Sequence, residues 1–421
     1  MFYGLVVGLD LISTFIITGI AVSVLSSFLL VGPLVYWLIG RGFSASRIVR
    51  GATFLAALLT IPGLLAVALL VLAVLSVTGI TSLAYSSLAY LVAALLVLFV
   101  VQYLVAPYLV LYTSRARRPG AGEEWVVELF EEVKRSSGYR GEVELYIVDT
   151  PVPNAFAVGN VFKKAVVVHS GLLRELDRGE VKAVLAHELG HIAHRDNAYM
   201  IAVSLTPFLA YVVGLLSLLF GLVLLVGVAM VLSGAERAAG YAKSRDEEGA
   251  ALGSFFAFFA VLKAFVIGLI AVMVGLLLTI ASYLANIGVL AFSRIREHLA
   301  DIYSVRVTGD TRIASALVKI ERAIERMRES GEAGFQPSVK KALYIIPMAY
   351  GELTGASPPS LVRLVKYIKT EGPRRPQSSL IKYIKMSSPL STHPSVEARL
   401  YVVSSYYREL TSKRLFLNPK A

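Results

Sequence analysis

Long apolar runs constrain this chain more than any other feature. Of its 421 residues, 56% are hydrophobic and only 17% are charged. A soluble domain is about 45–50% apolar and about 25% charged. The surplus therefore points to burial in a medium other than the protein's own core. Helices of about 20 apolar residues cross the hydrocarbon of a bilayer, at about 1.5 Å per residue. Five segments of that kind are expected. The first lies within Leu5–Gly40, where Gly32-Pro33 provides a kink. The second runs from Thr53 to Val77 and the third from Leu88 to Tyr112, which makes residues 1–114 an N-terminal region of three spans. Residues 198–233 and 250–292 form the fourth and fifth.

The charges give the orientation. Arg41, Arg47 and Arg50 follow the first span, and Arg115, Arg117 and Arg118 follow the third. Lys and Arg accumulate on the cytoplasmic side, so both loops are expected inside. The amino terminus then starts outside, and the chain after the third span is inside. The formal charge of +12 is explained by such flanking residues and by contacts to anionic lipid. It requires no nucleic acid partner. The chain has no cysteine, so a metal site has to be built from His, Asp or Glu.

Two stretches have the texture of a soluble domain, 119–197 and 293–421. Glu123–Ser136 has helical periodicity. Val143–Asp149, Ala155–Val158 and Ala165–His169 are strand candidates, and Gly171–Leu176 and Gly179–His194 read as helices. Thr311–Glu329 is an amphipathic helix candidate, and Pro394–Thr411 is a further helix. Gly179–His194, the last of the helices before the fourth span, carries His187-Glu188-Leu189-Gly190-His191. Residues four apart share a helix face, so both imidazoles reach one ion. Glu188 lies beside that ion, where a general base for an attacking water belongs. With Ala198 only seven residues past His191, this helix is expected to run on into the fourth span.

Catalytic zinc takes three protein ligands and keeps one position open. His194 lies about 10 Å along the axis from His187, too far to share the ion. Glu297 in Glu297-His298-Leu299-Ala300-Asp301 is the better third candidate. Asp301 is four residues on and faces the same way, suited to orient a ligand imidazole. A solvated carboxylate pair just past a span is the alternative. His298 is one step off that face and is expected not to be a ligand.

These residues together resemble the HtpX-like membrane zinc metalloproteases, which are related to the CAAX prenyl proteases. Besides His187–His191 and Ser293–Asp301, three stretches carry the resemblance: Pro153-Asn154-Ala155-Phe156-Ala157-Val158-Gly159, Val166–Leu173, and Ser391-Thr392-His393-Pro394-Ser395. The resemblance implies one zinc ion per chain held by His187, His191 and Glu297, with Glu188 as catalytic base. It implies an edge strand over Asn154, Ala155, Phe156 and Ala157 along which an extended peptide pairs; a turn after Pro153 is the alternative for Asn154. His393 is expected to stabilise the oxyanion, with a loop histidine at a helix cap as the alternative. Arg399 is expected to pair with Asp301, with a surface arginine as the alternative. The family's chains typically have two spans ahead of the protease core, whereas this one has three apolar segments there.

The fold expected is therefore mainly α: a multi-pass helical membrane protein of about five spans, with a cytoplasmic α+β zincin-like protease domain carrying a small sheet. The function expected is a zinc endopeptidase in the cell membrane, its active site on the cytoplasmic side. Its partners are membrane lipids and polypeptide substrates, among them damaged membrane proteins. A CAAX-type prenyl protease acting on lipidated substrates is the alternative. Oligomeric state, cleavage preference and the role of residues 331–389 have no signature in the sequence.

Overall fold

A computed structural model describes residues 43–51, 100–239, 247–330 and 394–417, with isolated positions between residues 35 and 41 and at residue 97. Nearly all of the first expected span, the whole of the second, residues 88–96, 98 and 99 of the third, the 331–389 tail and His393 lie outside the described residues. The described chain is mainly helical with one small sheet. In chain order it forms α1 (Val100–Thr113), then α2 (Glu124–Ser137), β1 (Glu144–Val148), β2 (Ala155–Gly159), β3 (Lys164–His169), α3 (Ser170–Glu175) and α4 (Arg178–Ala193). There follow α5 (Asp196–Ala239), α6 (Glu247–Thr308), α7 (Arg312–Glu329) and α8 (Val396–Leu417). They divide into two compact units. Leu205–Asn286 belongs to one, and Leu96–Ser204 with Ile287–Ala421 belongs to the other.

In the second unit the sheet has the order β1-β3-β2. β3 runs parallel to β1 and antiparallel to β2. Ala165, Val166, Val167 and Val168 are fully buried, as the apolar run of a central strand requires. β2 is an edge strand, its outer side pairing with no strand among the described residues. It packs against α4.

α4 is the central helix of this unit. From Val181 to Gly190 nearly every side chain is buried, so it has no polar face. Its start is held by a reciprocal cap. Asp177 Oδ1 accepts from the Glu180 N–H at 2.9 Å, and Glu180 Oε2 accepts from the Asp177 N–H at 3.1 Å. Glu180 is itself buried, and Ser315 Oγ (2.8 Å) and Lys319 Nζ (2.6 Å) from α7 donate to it. Its carboxylate thus ties α4 to α7.

α4 does not continue into the fourth apolar segment. It ends at Ala193, and Arg195 takes φ 56°, a left-handed conformation rare outside glycine. A new helix, α5, begins at Asp196. Strain of about 1–2 kcal/mol at such a residue is offset by contacts that the break allows Asp196 to make, described below. α6, by contrast, is unbroken over 62 residues and carries both the fifth apolar segment and Glu297.

Two helices among the described residues are long and apolar enough to cross a membrane, over Pro207–Gly234 and Ala257–Tyr283. Within the first unit their backbones approach at glycines spaced by seven. A methyl on Gly221 would meet the Gly268 carbonyl oxygen at 2.7 Å, and one on Gly275 would meet the Gly214 carbonyl oxygen at 2.7 Å. Ser217 Oγ donates across the seam to the Ala271 carbonyl at 2.9 Å. Small residues and interhelical hydrogen bonds are how helices associate where no water drives them together. Leu219, Val223, Met230, Phe258 and Met273 point outward, each about half exposed or more.

Candidate metal centre

His187 and His191 lie one turn apart on α4, their rings edge-to-face at 87° and their Nε2 atoms 3.2 Å apart. Glu297 reaches them from α6. Its Oε2 is 3.7 Å from His187 Nε2 and its Oε1 is 3.6 Å from His191 Nε2. The helices can bring these groups together because they pack closely beside the site. At Gly190, between the two histidines, an added methyl would come within 3.1 Å of Tyr303 Cβ and 3.3 Å of Ala300 Cα. One turn further along α6, the buried Ser304 Oγ donates to the Ala183 carbonyl at 2.7 Å.

Each imidazole is fixed from behind by a carboxylate. Asp301 Oδ1 is 3.0 Å from His187 Nδ1, and Asp196 Oδ2 is 2.6 Å from His191 Nδ1. Protonated Nδ1 donates outward in this arrangement, so the Nε2 lone pairs face each other and Glu297. Asp301 has no exposed surface. The guanidinium of Arg399, from α8, closes on it in two parallel bonds, Nη2 to Oδ1 at 2.6 Å and Nε to Oδ2 at 2.9 Å. Arg399 Nη1 also lies 3.5 Å from Glu297 Oε2. Asp196 is paired with Arg296, which donates a further bond to the His194 carbonyl at 2.8 Å.

The electrostatics follow from burial and these partners. Burial opposes charge on Asp301, but Arg399 and His187 outweigh it and hold the carboxyl well below its usual range. Burial likewise opposes charge on His187, yet Asp301 and Glu297 push that imidazole up to about 9. Burial pushes His191 down. The carboxylates of Glu297 and Asp301 thus favour positive charge beside His187, the charge a metal cation would bring.

The donor set fits a divalent metal. His187, His191 and Glu297 each offer one ligand atom, all within 4.8 Å of one another. Tetrahedral zinc with ligand bonds of about 2.0–2.1 Å holds its ligand atoms about 3.3 Å apart, close to the spacings found. Two neutral imidazoles and one carboxylate are also the ligand types borderline zinc accepts.

The other residues singled out in the sequence fall outside this cluster. His194 caps α4 and packs its ring edge-on to Tyr303 at 5.5 Å. His298 is buried, its Nδ1 3.9 Å from Asp301 Oδ2. Ala155, Phe156 and Ala157 lie on the edge strand β2. Asn154 immediately precedes that strand and accepts from the His169 N–H at 2.9 Å through its backbone carbonyl. Asp196 and Arg296 were not anticipated. The Asp-Asn pair following Arg195 was an available sign of a new helix start, and Arg296 carried none.

Two helix-borne imidazoles and a carboxylate from a second helix, each imidazole held from behind by an acid, make a centre of the metallopeptidase class. Residues 120–406 match Peptidase family M48. The chain is 31% identical over 288 residues to a protein named Protease HtpX homolog from Aeropyrum pernix, covering 68% of this chain and 76% of that one. It is 29% identical over 274 residues to the protein of the same name from Pyrobaculum calidifontis, covering 65% of each. With that from Archaeoglobus fulgidus it shares 30% over 260 residues, 62% of this chain and 61% of the relative. The chain belongs to peptidase family M48 and is an HtpX-like protease.

Proposed function

We propose that this chain is a zinc-dependent endopeptidase of the cell membrane that cleaves misfolded or damaged membrane proteins at the cytoplasmic face. The convergence of His187, His191 and Glu297 from two helices carries this reading. One zinc ion per chain would be held by these three residues, where it would polarise the scissile carbonyl and acidify the attacking water. Glu188, buried on the same helix, takes a proton from that water and passes it to the leaving amide nitrogen. Asp301 and Asp196 keep both Nδ1 atoms occupied, so that each Nε2 stays free to bind metal. Arg399 positions Asp301. The open edge of β2 pairs with an extended substrate by backbone hydrogen bonds, with Asn154 at its amino-terminal end. His393 donates to the oxyanion as charge develops there.

The outward-facing Leu, Val, Phe and Met side chains of Pro207–Gly234 and Ala257–Tyr283 support the membrane setting, as does the apolar character of residues 1–114, which adds three spans for a total of five. The basic residues after the first and third segments support a cytoplasmic active site.

Glu188→Gln tests the mechanism. Cleavage of an unfolded polypeptide is expected to fall by about 10²–10⁴-fold, with zinc content by elemental analysis unchanged. Glu297→Ala is expected to lose the zinc, and a chelator to abolish cleavage. Undiminished turnover by Glu188→Gln would remove Glu188 from the mechanism.

A further inference from the structure

The turn joining β2 to β3 is short, and its composition is unexpected. The Asn160 N–H donates to the Lys163 carbonyl at 2.7 Å, which leaves Val161 and Phe162 alone at the tip. Such positions ordinarily hold Gly, Asn, Asp or Ser. Here they hold two large apolar side chains, 66% and 78% exposed. They contribute nothing to the turn itself. Asn160 does that, its Oδ1 accepting from the N–H groups of Phe162 (2.8 Å) and Lys163 (2.7 Å).

Asn160 also attaches the hairpin to α1. Its Nδ2 donates to the carbonyl of Leu104 at 2.7 Å and approaches that of Tyr103 at 3.4 Å. Pro107 explains why a donor is needed there. Lacking an N–H, it leaves the carbonyl four residues earlier, that of Tyr103, without its helical partner. In hydrocarbon an unsatisfied carbonyl costs several kcal/mol, and the buried Asn160 amide offers it a weak contact at 3.4 Å while bonding its neighbour Leu104 at 2.7 Å. The attachment lies inside the apolar stretch of α1. Exposed Val101 precedes it, and exposed Val105, Tyr108, Leu109 and Tyr112 follow it. The polar end, Ser114 and Arg115, comes about 15 Å further along the helix. The hairpin is tied to α5 as well, through Asn197 Nδ2 and the Gly159 carbonyl at 3.3 Å, two residues before the exposed Tyr199.

We propose that the Val161-Phe162 tip inserts into the bilayer interface and anchors the open edge of β2 against the lipid. This rests on the membrane reading above and refines its substrate class. Phe162, Tyr108, Tyr112 and Tyr199 are exposed aromatic residues on three joined elements, the residue type enriched at membrane surfaces. Lys164 follows the tip with no carboxylate partner among the described residues, available to a lipid phosphate. The edge strand ends one residue before the tip, so a chain leaving the bilayer reaches the pairing edge at its Gly159 end without first crossing water. The preferred substrates are therefore segments emerging from the membrane.

The absence of cysteine makes the test direct. Single-cysteine variants Phe162→Cys, Leu219→Cys and Glu128→Cys of the full chain are labelled with NBD and placed in nanodiscs containing lipids with nitroxide-labelled acyl chains. Labels at 162 and 219 are expected to be quenched and the label at the exposed Glu128 position not. A label at 162 that behaves like the one at 128, with 219 quenched, overturns the proposal alone. If 219 also escapes quenching, the membrane reading fails and takes the proposal with it. In a second experiment the double substitution Val161→Asp, Phe162→Asp is expected to lower cleavage of a bilayer-embedded substrate about tenfold relative to a soluble unfolded one. An equal effect on both substrates counts against the anchor.

Discussion

Around α4 the large side chains turn inward and charged groups go in with them. Along Pro207–Gly234 and Ala257–Tyr283 the large side chains turn outward. Leu185 and Leu189 have no exposed area, whereas Leu219 is 52% and Val223 is 69% exposed. The same residue types serve two surroundings. In water, burial of Leu and Val drives α4 into the centre of its unit. The buried carboxylates of Glu180, Asp196 and Asp301 are tolerable because each has a cation or several donors against it. In hydrocarbon an exposed Leu costs nothing, so helix pairing falls to close backbone approach at Gly214, Gly221, Gly268 and Gly275. One chain thus uses opposite rules in two regions, and the chemistry is confined to the region where ions can be paired.

Four experiments press on that contrast. The largest effect is expected at the buried ion pair. Asp301→Ala leaves Arg399 buried without its main partner and should cost about 3–5 kcal/mol in denaturant unfolding of the detergent-solubilised protein. A loss of a few tenths would mean that the pair is solvated. Next comes one substitution made in both regions. Leu185→Ala should cost about 2–5 kcal/mol, and Leu219→Ala about 0.5 kcal/mol or less. Equal costs would erase the distinction between an inward and an outward face.

The third test uses pH. Burial, with Arg296 and His191 nearby, pushes His194 from 6.5 down to about 4. The unfolded chain therefore takes up a proton on this residue before the folded one does. Stability should be full above pH 6.5 and fall as pH drops toward 4, by up to about 3 kcal/mol. His194→Phe, which keeps the ring against Tyr303, should reduce that slope between the two pH values, buried His298, lowered over the same range, keeping the remainder. An unchanged slope would place the titration elsewhere. The smallest effect is expected at the helix contact beside the site. Gly190→Ala should cost about 1–3 kcal/mol by pushing α4 from α6, and should weaken zinc retention in a chelator competition. Retention equal to wild type would show that Tyr303 and Ala300 yield without disturbing Glu297.

Much of the first unit's helix pair and of the second unit's local structure was legible in the sequence. The 3.6-residue and two-residue periods marked α2, α7 and the three strands to within a residue or two, and the helix-forming run around His187 marked α4. The spacing of His187 and His191 allowed one common ion before any coordinates. The break between α4 and α5 was marked in the sequence only by Asp196-Asn197, a weak sign of a helix start. The apolar run resumes at Ala198, and no Gly or Pro marks the break. On an unbroken helix Asp196, five residues beyond His191, would point about 140° away from it. The left-handed Arg195 turns the chain so that Asp196 comes back to 2.6 Å from His191 Nδ1.

What the sequence by itself determined was therefore whatever rests on short-range periodicity: apolar runs, capped helices, and two histidines at a separation that puts them on one face. Tertiary structure alone decided the sheet order β1-β3-β2, the arrival of Glu297 from more than a hundred residues downstream, and the pairing of Asp196 with Arg296. Those contacts depend on how closely α4 and α6 can approach, which Gly190 and the buried Ser304 set. Local propensity reaches only about one helical turn along the chain, while the packing that joins distant segments depends on every side chain between them.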